Sequence, residues 1–154
     1  MKQSNLALIL ATWFGVGLIP IMPGTLGSLA ALPIAWLIIN LFGHGWFLVV
    51  LIAIFFLGIV VCEKCHKQLK EKDPSIIVVD EVVGQWLAVL FLPPNLIFYS
   101  FGFVLFRFFD IFKPWPISWV DRNIKNGVGV MLDDILAGAF SLSILHFTYW
   151  LLGA

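Results

Sequence analysis

Long apolar blocks separate a few short clusters of charge along this chain. Residues 3–62, 82–106 and 135–154 contain no Asp, Glu, Lys or Arg. The charges fall at Lys2, Glu63 to Asp73, Asp80-Glu81, Arg107 to Lys125 and Asp133-Asp134. Apolar runs this long predict membrane-crossing helices. Proline and glycine punctuate them. The run Ile19 to Ser28 holds two prolines and two glycines and breaks the first block. A helix is predicted from Thr25–Ser28, whose hydroxyls would cap free N–H groups, to about Phe42, with a kink permitted at Pro33. Gly43-His44-Gly45 predicts a tight turn. A second helix follows from about Trp46 to Cys62 and on toward Asp73. A third runs from Pro74 to about Leu92, a fourth from Leu96 to Phe112 and a last from Val130 to Leu152. Pro93-Pro94-Asn95 turns the chain, and Lys113 to Gly129 reads as irregular and polar. The fold class is all-α: a polytopic membrane protein of four or five membrane helices, with an N-terminal apolar segment and short interfacial loops, forming one domain over residues 1–154.

Composition agrees with that reading. Of 154 residues, 61% are hydrophobic and 12% charged, too apolar for a domain that must supply a polar surface. Net charge is zero, which leaves no basic excess for a nucleic-acid partner. Met1 to Gly17 resembles a signal peptide but lacks a small-x-small cleavage site, so it is expected to be retained. Residues 5–16 either cross the bilayer or lie along it. Eight of the nine basic residues lie in the segments Lys64 to Lys72 and Arg107 to Lys125, which the positive-inside rule assigns to the cytoplasm. All the charge clusters then share that face.

Helix length locates the acids. Eighteen residues rise about 27 Å, barely the hydrocarbon thickness. The third and fourth helices reach that length only by including Asp80-Glu81 and Arg107 with Asp110. Each acidic pair sits among apolar residues, and in each an acid precedes a glycine by four: Asp80 and Gly84, Asp134 and Gly138. Such a glycine lets a neighbouring helix approach. One carboxylate at mid-membrane costs ~2.5–3.5 kcal/mol, four on the order of 10. Either the acids lie near the interface as caps and ion-pair partners of Arg107, Lys113 or Arg122, or Asp80, Glu81, Asp133 and Asp134 hold a hard divalent ion, Mg²⁺ or Mn²⁺.

Arg107, Asp110 and Lys113 share a helix face. With Arg122 they either bind phosphate or snorkel at the interface. Thr25, Ser28 and the helix start around them have the makings of an anion cradle. Cys62-Glu63-Lys64-Cys65-His66 matches a haem c attachment string, but it lies in a lysine-rich cytoplasmic segment, so no haem is expected. His44 and His146 fall on the far side, which disfavours a Ser-His-Asp triad. Metal-assisted chemistry on an inner-leaflet substrate remains.

These motifs resemble the phosphatidylglycerophosphatase A family of bacterial membrane lipid phosphatases. The matching strings are Gly15 to Pro20, Pro23-Gly24-Thr25-Leu26-Gly27-Ser28, and Val79-Asp80-Glu81 with Gly84 and Trp86. They continue through Phe106-Arg107, Asp110, Lys113-Pro114-Trp115-Pro116-Ile117, Asp121-Arg122 and Gly129-Val130-Met131 to Asp133-Asp134 and Ala137-Gly138. Asn126 departs from the pattern by standing where a glycine is usual, with little consequence expected. The resemblance implies a Mg²⁺-dependent hydrolase that converts phosphatidylglycerophosphate to phosphatidylglycerol and phosphate in the bacterial cytoplasmic (inner) membrane, its active site facing the cytoplasm. On that reading Asp80, Glu81, Asp110, Asp133 and Asp134 are catalytic, and all but Asp110 hold Mg²⁺. Thr25, Ser28, Arg107, Lys113, Asp121 and Arg122 bind the phosphate. Two other classes compete. An ion-coupled transporter would carry ionisable groups open to both faces, whereas the far halves of these helices lack charge. A membrane alcohol phosphotransferase would carry an Asp-Gly-x-x-Ala-Arg string, which is absent.

Overall fold

A computed structural model describes residues 2–69 and 75–153. The described residues contain helices and no strands: α1 (Lys2–Ala11), a 3₁₀ turn (Val16–Leu18), α2 (Pro23–Leu69), α3 (Val79–Ala88), α4 (Leu96–Phe112), α5 (Ile117–Asn123) and α6 (Gly127–Leu151). α2 and α6 are long and apolar enough to cross a membrane.

Gly43 divides α2 with φ 81° and ψ 172°, a left-handed geometry that glycine adopts without steric cost. Contacts on its two sides show a hairpin. Trp86 donates its indole N–H to the Ala31 carbonyl at 2.8 Å and packs against Phe47 in a tilted arrangement, 5.5 Å between centroids. Ala31 and Phe47 therefore meet one side chain although sixteen residues separate them. The predicted turn and the two helices flanking it are present, as residues 23–42 and 44–69. The first begins at Pro23 rather than at a hydroxyl cap. Proline suits that first position because its missing N–H would be unpaired anyway.

The third helix departs most from expectation. It spans ten residues, Val79–Ala88, about 15 Å. Residues 75–78 before it are not helical, and the predicted start at Pro74 lies outside the described residues. α3 runs inward: Val82, Val83, Gln85 and Trp86 are buried in the centre of the molecule. It leads to Phe91, whose ring lies 5.7 Å from that of His44 at the hairpin tip. The irregular segment after α4 also contains a helix, α5. The last helix starts at Gly127, three residues earlier than predicted. Asn126 caps it, accepting from the Val128 and Gly129 N–H groups at 3.1 Å. Glu63, on α2, accepts from the Gly127 N–H at 3.0 Å. The residue that departs from the family pattern thus serves as a helix cap.

α3 and α6 touch backbone to backbone. A Cβ on Gly138 would collide with the Gly84 carbonyl, and one on Gly84 would lie 2.7 Å from the Asp134 carbonyl oxygen. The two acid-to-glycine spacings thus describe one interface, with each glycine admitting the other helix. Outward-facing residues are large and apolar, among them Leu37, Leu41, Val49, Phe56, Phe101 and Phe147. An apolar surface this extensive suits lipid rather than water.

Candidate active site

The start of α2, the start of α3, the end of α4 and the start of α6 converge on one cavity of about 370 Å³. Asp80 and Glu81 reach it from the first turn of α3, where unpaired N–H groups and the helix dipole favour negative charge. Asp133 and Asp134 come from α6, Arg107 and Asp110 from the last turns of α4. Lys113 comes from the C-cap of α4, in left-handed geometry at φ 44°. Gly24 and Thr25 form part of the wall. A Cβ on Gly24 would collide with the Glu81 carboxylate and lie 3.4 Å from Arg107 Nη1, so any larger residue there would displace the Glu81 carboxylate from its present position.

Two charge systems share the cavity. Carboxylate oxygens of Asp80, Glu81 and Asp134 lie within 4.8 Å of one another. Each of these residues also has a buried oxygen without a hydrogen-bond partner. Arg107 stands beside them. It pairs with Asp110, approaches Glu81 at 4.0 Å and donates to Ser28 Oγ at 3.5 Å. The second system centres on Lys113, which bonds Asp121 at 2.8 Å and Asp133 at 2.7 Å. Burial alone would lower the Lys113 pKa. The charge of Asp133 and the hydrogen bonds to Asp121 and Asp133 outweigh burial and hold it above its ordinary value. Burial likewise opposes ionisation of Asp121, but the Lys113 contact prevails and its pKa is lowered.

Of the predicted site residues, the structure gathers Thr25, Asp80, Glu81, Arg107, Asp110, Lys113, Asp121, Asp133 and Asp134 around the cavity. Asp133 lies outside the three-carboxylate cluster because Lys113 holds it. Ser28 is fully buried, donates to the Gly24 carbonyl at 2.9 Å and does not line the wall. Its contact is with Arg107, so it positions that guanidinium. Arg122 is exposed on α5 and is absent from the wall. Met22, Ser75 and Lys125 line the cavity without having been singled out from the sequence. Only their nearness in sequence to the Pro-Gly-Thr, Asp-Glu and Asp-Arg strings pointed to them.

Around the cavity six carboxylates face three cationic side chains, Arg107, Lys113 and Lys125. A phosphate dianion would enter a surplus of negative charge. A divalent cation fits the structure on two counts: three convergent carboxylates supply hard oxygen ligands, and their buried oxygens lack other partners.

An all-helical membrane protein with carboxylates, arginine and lysine in one cavity at one end of its bundle has the design of an enzyme acting on a charged lipid headgroup. The chain belongs to the family described as phosphatidylglycerophosphatase A, whose sequence model matches residues 9–149. It is 44% identical over 156 residues to the phosphatidylglycerophosphatase A of Escherichia coli (strain K12), covering 99% of this chain and 90% of that protein. Its identity to the protein of the same name from Haemophilus influenzae is 38%, covering 94% and 90%. A Bacteroides thetaiotaomicron protein provisionally named a phosphatidylinositol-3-phosphatase is also 38% identical, over 99% of both chains. No solved structure matches.

Proposed function

We propose that this protein hydrolyses phosphatidylglycerophosphate to phosphatidylglycerol and phosphate, with Mg²⁺, at the cytoplasmic face of the bacterial inner membrane. Family membership and the mixed carboxylate and cation cavity support the reaction. The three-carboxylate cluster carries the metal assignment. Asp80, Glu81 and Asp134 hold the ion, which when bound supplies Lewis-acid stabilisation of phosphoryl charge. Arg107 binds phosphoryl oxygens by charge-assisted hydrogen bonds, oriented by Asp110 and Ser28. Lys113 adds positive charge at the opposite wall, and Thr25 offers a hydroxyl and the α2 N-terminus. Water attacks phosphorus, the bond to the glycerol oxygen breaks, and the departing oxygen takes a proton.

On this reading residues 23–42 and 44–69, α4 and α6 each cross the membrane, with α3 as a short inner helix; the division of α2 at Gly43 and the length and hydropathy of α2 and α6 support it. The basic residues near the cavity end favour its facing the cytoplasm. The Bacteroides relative's name favours a second reading, a phosphoinositide phosphomonoester substrate.

The test is phosphate release by purified protein from phosphatidylglycerophosphate and from phosphatidylinositol 3-phosphate, with Mg²⁺ and with EDTA. The first lipid should be hydrolysed, with activity lost in EDTA and restored by Mg²⁺. Asp134→Asn should be inactive yet remain in the membrane. Metal-independent turnover would remove the ion from the reading, and preference for the inositol lipid would replace the substrate. Orientation is tested by thiol labelling of Lys67→Cys and Gly45→Cys in intact cells. Only the second should react from outside. The native Cys62 and Cys65 are buried and are poor reporters.

A further inference from the structure

A second concavity, of about 490 Å³, lies between the first half of α2 and α4. Unlike the acidic cavity it is almost wholly apolar: Leu32, Pro33 and Trp36 form one side, Phe103 and Val104 the other, with Ser100 among them. Its volume is that of a small-molecule pocket.

Its position on the two helices gives it meaning. Gly24 and Thr25 wall the acidic cavity, and the same helix turns on to Leu32, Pro33 and Trp36. On α4, Asp110 and Arg107 wall the cavity, and Val104, Phe103 and Ser100 continue away from it. The groove and the acidic cavity therefore lie in series along the same pair of helices, with no lining residue in common. The Arg107 contact to Ser28 marks the junction. The opposite end is tied by the Trp36 indole N–H, which donates to the Pro94 carbonyl at 3.1 Å. From Leu29 to Trp36 the rise is about 10 Å, so the groove covers only part of a long acyl chain.

We propose that this groove holds one acyl chain of the phospholipid whose phosphorylated headgroup occupies the acidic cavity. The inference rests on the phospholipid reading above and adds where the chain lies. Charged cavity and apolar groove in series match the order of polar head and hydrocarbon in a phospholipid. Along the groove the lining offers dispersion contacts to methylene groups and requires no polar atom of the ligand. The Trp36 to Pro94 tie sets where the chain must leave for bulk lipid.

The test is photocrosslinking of the whole protein, in detergent micelles with Mg²⁺, to a non-hydrolysable phosphonate analogue of phosphatidylglycerophosphate bearing a diazirine at mid-chain. The readout does not require turnover. Adducts should concentrate on residues 29–36 and 96–104. They should fall at least fivefold in Ser100→Trp, which fills the groove, and stay unchanged in Phe101→Trp, a bulky change on the neighbouring lipid-exposed position. Adducts spread evenly over other lipid-facing residues such as Val49 to Phe56, or undiminished in Ser100→Trp, would overturn the proposal. Groove labelling by the phosphonate together with no hydrolysis of the parent phosphate lipid would refute the substrate reading and leave the chain site standing. In turnover, Ser100→Trp should raise KM for long-chain substrate and leave that for a dihexanoyl analogue unchanged.

Discussion

Replacing Gly84 with alanine should disable the enzyme while leaving it folded. The new Cβ would lie 2.7 Å from the Asp134 carbonyl oxygen and 2.5 Å from the Phe106 ring, whereas ordinary contact begins at 3.4 Å. Phe106 is fully buried and has little space to turn into. α3 and α6 must therefore separate by about 0.7 Å or more. Overpacking of this kind costs about 1–3 kcal/mol, which a bundle crossing a membrane tolerates. The consequence for chemistry is larger. Asp80 stands on α3 and Asp134 on α6, and the direct contact between those helices sets the spacing of their carboxylates. A displacement near 1 Å costs on the order of 10²-fold in rate. Phosphate release should therefore fall about a hundredfold, and the Mg²⁺ concentration for half-maximal activity should rise. Gly45→Ala is the control, since nothing lies within 4 Å of a Cβ there. Thermal unfolding in detergent reports the fold separately. A stable Gly84→Ala protein with wild-type turnover and metal dependence would refute the claim that this contact sets the carboxylate geometry.

Two further substitutions separate neighbouring roles. Arg122→Ala should leave KM and kcat near wild type, because Arg122 is exposed and off the cavity wall, whereas Arg107→Ala should abolish phosphate release. Equal losses in the two would return Arg122 to the phosphate site. Asp121→Asn removes a group whose pKa folding lowers. The stabilisation from Asp121 is present above its unfolded pKa of about 3.9 and is lost as pH falls through the lower folded value. Thermal unfolding should show wild type above the variant throughout the neutral range, with the gap closing only below about pH 4. A gap that closed between pH 6 and 8 would assign it to another group.

The sequence carried those features whose cause is local. Gly43 marked its turn because left-handed geometry is cheap only for glycine, and Pro93-Pro94-Asn95 marked the turn before α4; that Asn95 also caps α4, accepting from the Phe98 N–H, came from the structure. Asp80 with Gly84 and Asp134 with Gly138 identified both a face and a close contact. The length of α3 was not legible: Trp86 to Leu92 is uniformly apolar, and hydropathy does not register where helical hydrogen bonding stops. Ser28 and Thr25 look alike in the string, but Ser28 lies nearly a turn further into α2, where the bundle buries it, while Thr25 stays at the cavity wall. Helical rotation explains Asp133 and Asp134. Adjacent acids on a regular helix point about 100° apart, so one meets Asp80 and Glu81 while the other meets Lys113.

That division gives the two acidic pairs unequal parts. Asp80 and Glu81 begin a helix, where unpaired N–H groups soften the cost of burying two negative charges. Asp134 lies two turns inside α6 and has no such help. With a buried oxygen unpartnered, it depends on whatever positive charge enters the cavity. Asp133 has its counter-charge built in, through Lys113. Removing Asp133 would leave Lys113 bonded to Asp121 and the cluster intact, whereas removing Asp134 takes one of three oxygen donors. On the proposed reading the four acids divide into three that would share a cation supplied from outside and one paired to a lysine of the chain itself. Arg107, between Glu81 and Asp110, joins the first group to the wall where the phosphate would lie.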